Sequence, residues 1–399
     1  MRIVVMKFGG TSVATPESRE HIVEKVRESR RRGHSPVVVV SAMGRAPSPY
    51  ATDSLINLLK EFPGDAASPA ELDQLMSLGE TISAIVMAHT FRAAEIPSRS
   101  FDGAQAGIET SDDYANGRVV YIDPQPLYAY LQTGGVPVVT GFQGVNSQGR
   151  VTTLGRGGSD TSAVALGAAL KAHYVEIYTD VDGVMTADPR VYSGSEILHQ
   201  INFEEMGELA SEGAKVIHPR AVEMADLHGV PVWIKNTIND HPGTFMARAV
   251  PRQAYEQEKI ISGIAHMFGM TGLMMKTADR AAQVDLLKSL ATAGVNLDLI
   301  NVTADGLYAI LPTTTYEAAG KSLLDSLGIE YKAAHGCAKI SIVGAGMRGT
   351  PGVMAHVLSC LHEAGVTVIH STDSNITISI LVKEEDVPEA VKALHGQFL

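Results

Sequence analysis

Short apolar runs alternate with helical stretches through most of this chain, and polar or glycine-rich loops follow the runs. Residues 3–6 are apolar and mostly β-branched, so they read as a buried strand. That strand runs into Lys7-Phe8-Gly9-Gly10-Thr11-Ser12, and a helix is expected over residues 16–32. Residues 36–40 repeat the pattern and end at Ser41-Ala42-Met43-Gly44. Helices are expected over 53–61, 70–91 and 203–210, with a strand followed by a helix across 114–131. Further strands are expected near 98–101, 137–139, 174–178 and 230–234. Such alternation calls for an α/β domain: a mostly parallel sheet with helices on both faces. Ligands of these sheets bind beyond the carboxyl ends of the strands. Lys7, Ser41, Gly141 and Asp180 each follow a predicted strand and are expected to converge there.

Residues 154–170 begin Leu-Gly-Arg-Gly-Gly-Ser-Asp-Thr-Ser and continue as a small-residue helix. Two readings fit this stretch. Glycines bring backbone N–H groups close to an anion, and the helix N-terminus adds about half a positive charge. Arg156 then offers a planar fork for a carboxylate or phosphate, and Asp160 orients a cation or catalytic group. Alternatively, Ser159 or Asp160 merely caps a buried helix after a tight turn. The later loop Thr179-Asp180-Val181-Asp182-Gly183-Val184-Met185-Thr186-Ala187-Asp188-Pro189-Arg190 is equally double-valued: a nucleotide or magnesium-phosphate loop, or a turn with surface aspartates. Lys7 and Lys215 can neutralise a transferring phosphoryl group, although lysine ordinarily sits solvated at the surface. Lys7 strains that ordinary state, because it ends a buried strand beside two glycines.

Composition narrows the classes. The 399 residues suffice for two or three domains, and 45% hydrophobic with 19% charged residues is a globular balance. Against 44 Asp and Glu stand 32 Lys and Arg, a net charge of −12, which argues against nucleic acid as the main partner. Cys337 and Cys360 belong to no metal or redox motif, so a reducing compartment is expected. No apolar run reaches membrane-spanning length and the first residues do not read as a signal peptide, so a cytoplasmic location is expected. The pattern breaks at residues 239–258, where prolines, a glycine and mixed charge place a boundary. Beyond it, helices at 281–293, 316–327, 353–364 and 387–395 alternate with strands at 297–302, 307–311, 338–343, 366–370 and 376–382. This is a repeated β-α-β-β-α unit of ferredoxin-like character. Within it, Gly344-Ala345-Gly346-Met347-Arg348-Gly349 matches a dinucleotide fingerprint, but two consecutive strands follow the helix where a crossover should. These glycines are expected to shape a turn.

Neither a Walker P-loop nor protein-kinase signatures occur. However, Lys-Phe-Gly-Gly-Thr-Ser-Val, Thr-Leu-Gly-Arg-Gly-Gly-Ser-Asp-Thr and Thr-Asp-Val-Asp-Gly-Val-Met-Thr-Ala-Asp-Pro-Arg resemble the signature motifs of the aspartokinases, in family order and across essentially the whole chain. The resemblance implies an amino-acid-kinase domain (residues 1–245), a linker (246–258) and tandem ACT regulatory domains (259–399, about 264–334 and 335–399). It implies phosphorylation of the β-carboxylate of L-aspartate by Mg-ATP, the first step toward lysine, diaminopimelate, threonine and methionine.

Carried over by motif, substrate contacts fall on Ser41, Thr52, Glu80, Arg156 and Ser159. Nucleotide contacts fall on Lys7, Phe8, Gly9, Gly10, Tyr178, Thr179, Asp180, Val184, Met185, Thr186, Ala187, Asp188, Pro189 and Lys215. Lys7, Asp160 and Lys215 form the implied catalytic set, with Asp160 holding the lysines. Arg156 suits the α-carboxylate of an amino acid and Glu80 its α-ammonium. Magnesium is implied to ride mainly on the ATP phosphates, with no protein metal site. Ala-Met-Gly-Arg…Pro-Tyr-Ala-Thr-Asp-Ser-Leu and Ser-Thr-Asp-Ser-Asn-Ile-Thr are most similar to the monofunctional, diaminopimelate-sensitive class. The first ACT module lacks both a Pro-Gly turn at Lys276-Thr277-Ala278-Asp279-Arg280 and a Gln-Asn pair after Leu299-Ile300. An effector is implied near Asp298 and Asn301, with meso-diaminopimelate favoured, in a homo-oligomer assembled through the ACT domains. Two alternatives remain: another amino-acid kinase acting on glutamate or acetylglutamate, and a non-catalytic ACT-based sensor. A sensor should have lost the lysine or the arginine, and both are present.

Overall fold

The computed structural model describes residues 1–59, 68–248, 260–277 and 279–399. Over these residues the chain forms two compact units. The first draws on Met1–Val184, Ile197–Ser211 and Lys215–Ala254, and the second on Met185–Glu196, Glu212–Ala214 and Tyr255–Leu399. The ends of the expected 53–61 helix and of the 246–258 linker, and Ala278, lie outside the described residues.

The first unit opens with β1 (Arg2–Phe8), α1 (Gly10–Val13), α2 (Pro16–Arg31) and β2 (His34–Val40). It continues through α3 (Thr52–Leu59), α4 (Pro69–Ala93), β3 (Ser98–Phe101), β4 (Ile108–Thr110), β5 (Val119–Ile122) and α5 (Gln125–Gln132). Next come β6 (Val136–Thr140), β7 (Gln143–Val145), β8 (Val151–Thr153), α6 (Gly158–Ala169) and β9 (Tyr174–Thr179). It closes with β10 (Gln200–Asn202), α7 (Phe203–Ser211), α8 (Pro219–His228), β11 (Val232–Asn236) and β12 (Thr244–Ala247). Eight strands join in the order β10-β12-β11-β9-β1-β2-β6-β3, all pairs parallel except β11·β12. The expected parallel sheet is therefore present.

Strand alternation decides what each face meets. Val4, Met6 and Phe8 of β1 pack with Ile22, Val23 and Val26 of α2 and Met87 and Phe91 of α4. Val5 and Lys7 point the other way, to the face on which α6 packs. β12 lies within the stretch expected to hold the boundary and pairs antiparallel with β11, so Pro242 sits in a hairpin of the first unit, and the division between the units follows it. The small sheet β5-β4-β7-β8 was not anticipated, since strands of three and four residues are too short to show a period.

In the second unit, β13 (Gly263–Lys276), α9 (Arg280–Thr292), β14 (Leu299–Val302) and β15 (Gly306–Pro312) lead into α10 (Thr313–Thr315) and α11 (Lys321–Ser326). The pattern repeats as β16 (Tyr331–Val343), α12 (Val353–Glu363), β17 (His370–Asp373), β18 (Thr377–Lys383) and α13 (Val387–Phe398). The repeats share one antiparallel sheet, β14-β15-β13-β16-β18-β17, joined where β13 pairs β16. Gly344–Gly349 forms a short 3₁₀ turn, with Gly344 N–H donating to Ile376 O, as expected for a turn rather than a phosphate cradle. β17 starts at His370, later than expected, because Gly365 (φ +73°) and a Val366 N–H to Leu361 O bond first close α12. No described helix is long and apolar enough to cross a membrane.

Candidate active site

Because Lys7 lies on the α6 face of β1, its Nζ meets Asp160 in the first turn of α6 at 2.7 Å, each side chain only 12% exposed. The positive helix end favours that carboxylate. The loop after β1 is then fixed from both sides. Gly9 N–H donates to Tyr178 O (3.3 Å), and Gly44 N–H donates to Gly10 O (2.9 Å). A Cβ on Gly10 would sit 2.6 Å from Ala42 O, so only glycine lets the two loops approach this closely. Phe8 is fully buried and stacks on Tyr178 at 4.7 Å, leaving only its backbone to the site.

Glu80 occupies the middle of α4, on the side facing the loop after β2. Gly79 makes this possible, since a Cβ there would lie 2.7 Å from Ala42 Cβ and 2.9 Å from Tyr50 O. Glu80 Oε1 accepts the Ala42 N–H at 2.9 Å, whereas Oε2 is buried without a hydrogen-bond partner. Burial pushes the carboxyl up to about 8, against the lowering effects of the Ala42 bond and of Lys7. Ser41 and Thr52, both half-buried, flank this loop, Ser41 at the end of β2 and Thr52 at the start of α3.

The arginine loop joins β8 to α6. Gly155 (φ +74°) and Gly157 (φ +69°) take left-handed backbone, and a Cβ on Gly157 would fall about 2.0 Å from the His218 ring. Arg156 projects from between them, exposed. Ser159 is buried against Gly141, where a Cβ would meet the Ser159 side chain at 2.7 Å. The ends of β9, β1, β2 and β6 lie side by side in the large sheet, as the strand-end argument expects, and the arginine loop after β8 joins them through Ser159 against Gly141.

On the nucleotide side, Thr179 O accepts the Thr237 N–H (3.0 Å), while Asp180 is exposed and faces Arg45 at 3.4 Å. Asp182 accepts from Asn236 (2.6 Å) and Asn239 (2.7 Å), and those bonds hold its carboxyl below its usual range. Val184 is fully buried, its N–H held by Thr244 Oγ1 at 2.8 Å. Lys215 is exposed in the turn between α7 and α8. Met185, Thr186, Ala187, Asp188 and Pro189 belong to the second unit. There Thr186 Oγ1 meets His395 Nε2 at 2.8 Å, and Ala187 packs in the core with Ile264 and Val387. Asp188 is clamped by Arg190 at 2.6 Å. Asp298 is likewise committed, paired with Lys339, a buried lysine that also holds Glu212 at 2.7 Å. Asn301 is half-buried on β14.

Several residues of the site went unread in the sequence. Asp73, Gly79 and Arg220 each act by contacts with segments distant in the chain, which no local pattern announces. Arg220 donates to Leu154 O (3.2 Å) and to Asn116 Oδ1 (2.6 Å), holding the start of the arginine loop. A groove of about 920 Å³, lined by Glu176, Trp233 and Lys235 among others, opens beside α2 and shares Tyr178 with the nucleotide set but none of the aspartate set.

Known proteins resemble this chain in sequence and in fold. The amino acid kinase family matches residues 2–236, and an ACT domain matches residues 332–396. Aspartokinase 1 of Bacillus subtilis is 41% identical over 404 aligned residues, covering 100% of this chain and 99% of the relative. The Mycolicibacterium smegmatis aspartokinase is 38% identical, with 100% and 96% covered. Escherichia coli aspartokinase III in complex with aspartate and ADP superposes with a TM-score of 0.79 at 26% identity, covering 99% of each chain. The same enzyme in complex with lysine and aspartate gives 0.78, covering 100% of this chain and 99% of that one. With relatives this similar along its whole length, the chain belongs to the aspartokinase family of amino-acid kinases.

Proposed function

We propose that this chain transfers the γ-phosphoryl group of ATP to the β-carboxylate of L-aspartate, giving 4-phospho-L-aspartate and ADP. Glu80 carries the reading: a buried carboxylate keeps one oxygen without a partner, near Lys7, where an α-ammonium can complete it. Arg156, exposed between two left-handed glycines, is free to swing its fork onto the α-carboxylate. Bound at both ends, the amino acid presents its side-chain carboxylate to the γ-phosphorus. One carboxylate oxygen forms the new P–O bond while the bond to the β-phosphate oxygen breaks. Lys7, positioned by Asp160, stabilises the charge spreading over the phosphoryl oxygens, Gly9 leaves backbone room beside its ammonium, and Gly10 lets the loop after β2 pack close. Lys215 in its exposed turn is the second cation of the set. Among the described residues no His, Cys, Asp and Glu cluster is placed to cage a metal, and magnesium typically binds through phosphates with only one or two carboxylates. The ion supplies charge neutralisation on those phosphates, with Asp180 the exposed carboxylate next to the loop.

Release of ADP with a panel of amino acids tests the assignment. Aspartate is expected to drive turnover; acetylglutamate, whose acylated nitrogen carries no charge for Glu80, and the longer glutamate are expected not to. Turnover by either alternative alone overturns the assignment.

We also propose regulation through residues 259–399, and self-association there. Edge strand β14 exposes Ile300 and Val302, each 47% exposed, which suits pairing with a second copy. Meso-diaminopimelate is the favoured effector. The absent Gln-Asn pair after Leu299-Ile300 supports that choice over lysine with threonine. Inhibition assays with each effector decide this: a response only to lysine plus threonine refutes it. Free Cys337 and Cys360 support a reducing, cytoplasmic setting.

A further inference from the structure

Asp73 is completely buried on α4, seven residues before Glu80 and therefore on the same helix face two turns away. Its carboxylate accepts the Ala115 N–H on both oxygens (2.9 and 3.0 Å), the Thr153 N–H (2.7 Å) and the Thr153 hydroxyl (2.9 Å). No lysine or arginine pairs with it among the described residues. Four hydrogen bonds from neutral donors thus replace its hydration entirely. The donors are telling. Thr153 is the last residue of β8, three before Arg156, and its carbonyl accepts the Gly117 N–H at 2.8 Å. Ala115 lies in the loop against which Gly155 packs: a Cβ on Gly155 would meet Ala115 O at 3.0 Å. A single helix therefore holds Glu80 and grips the root of the arginine loop.

We infer that Asp73 is a positioning residue for substrate recognition: by clasping Thr153 and Ala115 to α4 it sets the spacing between Arg156 and Glu80, and so the affinity for an amino acid that must reach both. The inference rests on the assignment of Arg156 and Glu80 to the two ends of the amino-acid substrate. Charge-assisted bonds to backbone N–H groups hold geometry tightly, and replacing the carboxylate with an amide turns a donor toward donors. A displacement of about 1 Å at one of two recognition points is enough to cost large factors in productive binding.

The experiment measures steady-state kinetics and thermal melting of the full chain, the Asp73→Asn variant and the milder Thr153→Val variant, which keeps the backbone N–H. Asp73→Asn is expected to raise KM for aspartate about tenfold or more, with KM for ATP and kcat per folded molecule within threefold. Thr153→Val is expected to raise KM for aspartate roughly threefold and keeps the test alive if Asp73→Asn does not fold. A fall in melting temperature with KM for aspartate unchanged in the folding variant marks a structural role only and overturns the inference. A wild-type chain that uses a different amino acid refutes the assignment of aspartate instead, and KM for that amino acid then provides the same readout.

Discussion

At the residue scale, Glu80 makes the site sensitive to pH. Its carboxyl stands well above its ordinary 4.5, near 8, because burial penalises the charge more than the Ala42 bond and Lys7 favour it. A raised acid pKa means the folded chain binds the proton more tightly than the unfolded chain. Its contribution to stability is therefore present below pH 4.5 and is lost as pH rises toward 8. The ligand-free protein should lose stability across that window, and Glu80→Gln should flatten the loss in denaturant titrations at several pH values. An arriving ammonium requires the charged form, so KM for aspartate should fall as pH rises toward 8, by at most about tenfold per unit. A KM for aspartate that is flat from pH 6 to 8, in a range where Glu80→Gln also changes nothing, rules out Glu80 as the ammonium partner. Lys7 and Arg156 give sharper tests. Lys7→Ala should cut kcat by about 10²–10³, roughly 3–4 kcal/mol of barrier, with circular dichroism reporting the folded fraction. Arg156→Lys keeps the charge and loses the fork, so KM for aspartate should rise while KM for ATP holds.

At the scale of elements, α4 is the organising piece. A capping box between Ser68 and Glu71 starts it, and its apolar positions Met87 and Phe91 enter the sheet core. Its polar face spends Asp73 on the arginine loop and Glu80 on the loop after β2. Gly79→Ala would place a methyl group 2.7 Å from Ala42 Cβ and 2.9 Å from a backbone carbonyl. Backbone cannot yield as a flexible side chain can, so about 1–3 kcal/mol of stability should be lost. Urea unfolding measures that loss directly, and KM for aspartate should rise with it because Glu80 is the next residue.

At the scale of the whole molecule, the chain passes from the first unit to the second and back before its C-terminal part begins. Met185–Glu196 and Glu212–Ala214 belong to the second unit, although they interrupt the first in sequence. Deleting residues 260–399 should therefore do more than abolish self-association and feedback. It strips Thr186 of His395 and Ala187 of its apolar neighbours, so activity should fall rather than be released. Light scattering with an ADP-release assay checks both outcomes, and full activity in the truncated chain contradicts the second. Ile300→Lys is the gentler probe: it charges the exposed edge of β14 and should shift the full chain toward monomer with the active site intact.

How much of this was legible in the sequence follows from the range of the forces involved. Strand-and-helix alternation, glycine loops after strands and the repeated β-α-β-β-α units are local patterns, and they specified the parallel sheet and the convergence of Lys7, Ser41, Gly141 and Asp180. The role of Asp160 beside Lys7 came from the family resemblance, and the structure places the two side chains together on the α6 face of that sheet. The short sheet around β4 and β7 and the hairpin to β12 were not legible, because strands of three or four residues are too short to show a period, and the grip of Asp73 on Thr153 spans 80 residues of chain. The same holds for residues 185–189. Their motif reads as one continuous loop, yet apolar burial of Ala187 and the Thr186–His395 bond carry them into the second unit. Periodicity and turn chemistry act over a few residues and are written in the sequence directly. Burial and the satisfaction of buried polar groups depend on which distant surfaces meet, and only the tertiary structure decides that.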